Sequence, residues 1–144
     1  MNTETRFEAH FSISGNINLE EITELLGIQP TRASLKGSAR PDKGIPLESG
    51  WILSSGPSFD EDSLESSNIV ENLIDKISDK SSAINKICEK AGCYPCLAVW
   101  MQLSSNEDAF NPKLVLRPES VIFLGAIKAS IDIDVIVKRG LKRR

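Results

Sequence analysis

Residues 6–14, RFEAHFSIS, constrain the fold of this chain more than any other stretch. Phe7, Ala9, Phe11 and Ile13 fall on one side, and Glu8, His10 and Ser12 on the other. A period of two describes a strand buried on one face only. The sheet that carries it needs an apolar cover on one side and leaves its polar side to solvent. The next residues supply the first piece of cover. In GNINLEEITELLG, Asn18 is a helix N-cap, Glu21 stands three residues on as in a capping box, and Ile17 and Ile22 take the staple positions. Gly27 sits where the C-cap wants a positive φ. A short helix over 19–26 is expected.

Residues 28–50, with three Pro and three Gly, break every period and read as a long connection. GWILSS (50–55) reads as a strand with Trp51 and Leu53 facing together, and 56–66 as a polar, acidic loop. Over 67–91, Ile69, Val70, Leu73, Ile74 and Ile77 form one helical stripe, and Ile84, Ile87, Cys88 and Ala91 form another. The intervening SDKSS predicts a break, with a new cap at Ser81 or Ser82 and Gly92 closing the second helix. Strands follow at 94–104 and 113–117, and Pro118 opens a helix. The last strand alternates Ile131, Ile133, Val135 and Val137 inside with Asp132, Asp134 and Ile136 outside. The expected class is α+β: a mixed, largely antiparallel sheet of about five strands with helices packed on one face, a ferredoxin-like two-layer sandwich. One domain over 1–137 is expected, followed by a basic tail, 138–144.

At 144 residues the chain buries enough surface to hold a core without disulfide or metal. No apolar run reaches the length of a membrane span, and the first residues, MNTETRFEAH, carry no signal-peptide core. A cytoplasmic location with three free thiols is the expectation. The net charge of −3 is unevenly placed. Setting aside the five basic residues of 138–144 leaves 12 Lys and Arg against 20 Asp and Glu in the body. An acidic body is a poor match for nucleic acid and suits a basic protein partner.

The pieces GIQPTRASLKG (27–37), SGWILSS (49–55) and PESVIFLGAIKASIDIDVIV (118–137) together resemble the bacterial family called domain of unknown function 4279. The resemblance rests on Gly27, Pro30 and Thr31 after the first helix, Lys36 and Gly37, Trp51 opening a strand, and Asp132 and Asp134 in the last one. It covers nearly the whole chain. By analogy with small bacterial α+β proteins of this kind, it implies a role such as that of an immunity protein beside a toxin.

The candidate chemistry is sparse. Cys88, Cys93 and Cys96 include a C-x-x-C, but it follows a helix end rather than opening a helix, so a thiolate is disfavoured there. With His10 these cysteines could make a Cys₃His zinc set, a reading weakened by the absence of a second ligand pair. Three small apolar residues in a reduced protein is the favoured interpretation. His10, the only histidine, has no nucleophile elbow to serve. No enzyme activity, cofactor or metal is expected. Two binding readings follow. The lead is a protein-binding domain, most concretely an immunity or antitoxin protein that neutralises a basic toxin domain through Phe59, Asp60, Glu61, Asp62 and Glu65. The alternative is a small-ligand or regulatory module using the 28–50 loop with Arg32 and Lys36, together with Trp51, Asp132 and Asp134.

Overall fold

The computed structural model describes residues 5–34, 49–59, 63–104 and 113–138. Strand β1 (Arg6–Gly15) is central, and every second side chain from Phe7 to Ile13 is buried, as its alternation predicts. Helix α1 (Leu19–Leu26) follows. Asn18 Oδ1 accepts from the Glu21 N–H at 3.1 Å, and Gly27, at φ 68°, donates its N–H to the Thr23 carbonyl. The reciprocal half of the capping box is replaced: the Glu21 carboxylate takes Lys90 Nζ at 3.2 Å, tying α1 to a later helix.

Strands β2 (Arg32–Ser34) and β3 (Ser49–Ser54) come next, then helices α2 (Ser63–Asp75) and α3 (Ser81–Ala91). Strand β4 (Tyr94–Ser104), helix α4 (Pro118–Ala126) and strand β5 (Ser130–Lys138) complete the order. The sheet runs β2-β3-β1-β4-β5; all neighbours are antiparallel except β4 and β5, which are parallel. The first four strands have the order and directions of a ferredoxin-like sheet, and α4–β5 adds a parallel strand at one edge. Buried residues of β1, β3 and β4 join Ile22, Leu26, Val70, Leu73, Ile74, Ile77, Ile84, Ile87, Phe123 and Leu124 in a single core. The helices therefore cover one face of the sheet. Among the described residues, no helix is long and apolar enough to cross a membrane.

Several local expectations need correction. The 28–50 connection contains β2, which pairs with β3 through Arg32↔Ile52 and Ala33↔Trp51. Residues 113–117 form no strand. The Val115 N–H goes to Ser67 Oγ at 2.9 Å and the Arg117 N–H to Glu71 Oε2 at 2.7 Å, so side chains of α2 take the donors that a ladder would use. The acidic loop ends earlier than 66, because α2 begins at Ser63. The apolar row of β5, expected inside, is half exposed: Ile131, Ile133, Val135 and Val137 lie between 48% and 58% accessible. Among the described residues β5 is an edge strand, and the helix layer does not close over it. The break between α2 and α3 is present, but the N-cap of α3 is Lys80, with no side-chain cap bond.

Candidate functional site

The uncovered face of the sheet is built by strand parity. Residues opposite in phase to Phe7, Ala9 and Phe11 on β1 are Arg6, Glu8, His10 and Ser12, and the pairing registers carry that phase across the sheet. One row runs Glu8, Trp100, Asp134; the next runs Ser54, His10, Ala98, Asp132. Arg32 enters from β2 beside Ile52. These rows frame an open depression of about 420 Å³. Its floor follows from the register. Ala98 is the small residue between His10 and Asp132, which stand two strand spacings apart, roughly 10 Å, while Trp100 rises beside it on the same strand.

Besides Arg32, the charges in this depression fall into two sets. Glu8 is committed within the protein. It accepts from His10 Nε2 at 2.7 Å and Ser54 Oγ at 3.0 Å, and meets Arg6 at 3.6 Å. Burial alone would raise its carboxyl, but the His10 and Ser54 hydrogen bonds and the nearby positive charges outweigh it and hold the pKa below the ordinary value. Arg6 is held by stacking, 5.3 Å from the Trp100 ring centre and 5.9 Å from that of Phe59. Asp132 and Asp134 form the other set. Both are exposed, and among the described residues neither has an ion-pair partner. Two unpaired carboxylates two residues apart, an alanine floor and a tryptophan wall suit a cationic group more than a reaction centre.

The other residues singled out by sequence are scattered. Trp51 is fully buried on the opposite, helix-covered face, and its Nε1–H donates to Thr23 Oγ1 at 3.1 Å. It is a core residue, and the sheet itself separates it from the Asp pair. Phe59 is exposed beside Arg6. Lys36, Asp60, Glu61 and Asp62 lie outside the described residues; Glu65 lies on α2, and its side chain is likewise outside them. Cys88 and Cys93 touch, Sγ to Sγ 3.3 Å, and Cys93 is buried against Gly15. Burial, with the Cys93 sulfur alongside, pushes the Cys88 thiol up to about 12, so it stays protonated at neutral pH. Cys96 has the phase of Ala98 and points away from that pair. All three are free thiols, and among the described residues no three His, Cys, Asp or Glu side chains converge on a metal position.

Nothing in the sequence marks Ala98, Trp100, Arg6 or Glu8 as site residues. The alternation within 94–104 places Ala98 and Trp100 on one side, but only the β1–β4–β5 register shows that they sit between His10 and the Asp pair.

The family described as Domain of unknown function (DUF4279) matches residues 3–138. The chain belongs to this family. The match includes the five strands and four helices of the described residues, and with them every residue framing the depression. No curated protein and no solved structure matches the chain.

Proposed function

We propose that this DUF4279 domain is a non-catalytic binding protein that receives a basic segment of a protein partner on the open face of its sheet. The observation that carries this reading is the Asp132–Asp134 pair, without an ion-pair partner among the described residues, beside Trp100 and above the gap left by Ala98. A lysine or arginine from the partner would place its charge between the carboxylates and its stem against the indole. The acidic balance of residues 1–137 supports the same choice, because it steers a basic surface towards the domain. The most concrete form is an immunity protein that occludes a basic toxin domain, in the cytoplasm where such a toxin would act. That form rests on the charge and on analogy with small bacterial α+β proteins.

The test is capture from the native source with three baits: wild type, Asp132→Asn with Asp134→Asn, and Ala98→Leu. The expected result is one basic chain held in fixed stoichiometry by wild type and lost from both variants, seen by native mass spectrometry. Equal capture by all three, or no partner on wild type, contradicts the reading. Arg32 favours one second reading. It lines the same depression as the Asp pair, so a small zwitterion could bridge them. Wild-type protein carrying a small molecule and no second chain would support that instead.

A further inference from the structure

The core does not stop at β4. Leu97, Val99 and Met101 are buried on the helix side, and their partners on β5 are Ile131, Ile133 and Val135. That row continues the core, yet it is half exposed along with Val137. Among the described residues, β5 has a strand neighbour on one edge only. An edge of nine residues rich in β-branched side chains is a template for another strand. On the helix side of the sheet, α4 also leaves Val121 and Ile122 exposed.

We infer that this edge pairs with β5 of a second copy of the same chain, antiparallel and centred on Val135. The charge pattern of the strand is compatible with self-pairing and favours one register. An antiparallel pair related by a twofold axis through the sheet must place residues of equal phase opposite one another. Centring on residue 132 sets Asp132 against Asp132. Centring on 133 sets Asp132 against Asp134, twice. Centring on 134 sets Asp134 against Asp134. Each puts carboxylates face to face, which destabilises a cross-strand pair. Centring on Val135 puts Val135 against Val135, Ile133 against Val137 and Asp134 against Ile136, and sets Asp132 opposite Lys138. Apolar then meets apolar on the helix side, and the like charges are separated. The two aspartates thus disfavour the three registers centred on 132, 133 and 134, and of the registers that remain the one centred on Val135 pairs the most of the strand, residues 132–138.

This geometry has a consequence for the open face. The twofold axis runs through the sheet, so both copies present their open faces on the same side. Strand rise and spacing place the two Ala98 gaps roughly 25 Å apart on one continuous surface. The pairing stands on the exposed row and the register, and does not depend on what the open face binds.

The experiment is light scattering on the eluting full chain from micromolar to near-millimolar concentration, with cysteine cross-linking of the same samples. Wild type is expected at twice its 15.8 kDa mass, shifting to the single mass on dilution. Val135→Lys is expected at the single mass, with unchanged circular dichroism. Under mild oxidation Val135→Cys should form a covalent dimer far faster than Ile131→Cys or wild type, whose three native thiols set the background. A single mass at every concentration overturns the inference. So does a dimer that Val135→Lys leaves intact, or cross-linking of Ile131→Cys as fast as Val135→Cys.

Discussion

Glu71 shows how much one side chain can organise. Buried beneath the start of α4, it accepts from Ser120 Oγ, from the Arg117 N–H at 2.7 Å and from Arg117 Nε at 3.0 Å, while Asp75 takes the other arm of the guanidinium at 2.8 Å. It thereby fixes the extended 113–117 segment and the first turn of α4. Burial would raise its carboxyl, but these hydrogen bonds and the Arg117 charge outweigh that and hold it below the ordinary 4.5. Its folded-state pKa lies under the unfolded one, so the stabilisation is complete above that ordinary value and is lost as pH falls through the lowered one. Glu71→Gln should flatten the acid limb of a stability-versus-pH curve, and Glu71→Ala should cost about 2 kcal/mol at neutral pH in urea unfolding. Nothing in the sequence pairs Glu71 with Arg117, 46 residues away, which is why the short apolar run of 113–117 reads as a strand and is not one. By contrast, the exposed Asp132 and Asp134 have no ion-pair partner among the described residues. Replacing both with Asn should move stability by less than about 0.5 kcal/mol while removing partner binding, a separation checked by unfolding and capture on the same preparation.

At the scale of elements, local chemistry was legible where it was sufficient. Asn18 and Gly27 bound α1, Gly92 ends α3, and Pro118 opens α4, all from signals within a few residues. Asn18→Ala should cost about 1 kcal/mol in urea unfolding, since it leaves the Glu21 N–H without its acceptor. What local pattern could not supply is which strands touch. β2 is three residues long and exists because Thr31 and Arg32 find Ile52 on β3. The alternation of β5 was equally clear, yet a period of two says only that two faces differ, not that the apolar one is covered. Gly15 marks another contact that sequence does not reveal. It has φ 146°, and a Cβ there would lie 2.9 Å from both Cα and Cβ of Cys93. Gly15→Ala should therefore destabilise by roughly 1–3 kcal/mol through backbone strain and displacement of the β4 start. The equivalent change at Gly27, where an added Cβ would meet no atom within 4 Å, should cost only the strain of its positive φ.

For the whole molecule, the division of labour follows from the two faces of one sheet. The face with Phe7, Phe11, Trp51 and Leu97 closes on the helices and supplies stability. The face with Glu8, Ala98, Trp100, Asp132 and Asp134 is not covered by a helix among the described residues and carries the open depression. The α+β class and the one-sided helix cover could be read from periodicity alone; the composition of the open face could not, because it is assembled from β1, β2, β4 and β5, whose order is a property of the folded chain. If electrostatics steer the partner, its association rate should fall steeply with added salt, whereas dimer pairing through β5, being mostly apolar, should weaken little. The most direct measurement is a titration of the ¹⁵N-labelled protein with an arginine-rich peptide, followed by amide and indole shifts. Binding on the open face predicts the largest changes at Ala98, Asp132, Asp134 and the Trp100 indole, and their loss in the double Asn variant. Shifts confined to the acidic 59–65 segment, or shifts unchanged by that variant, would contradict it.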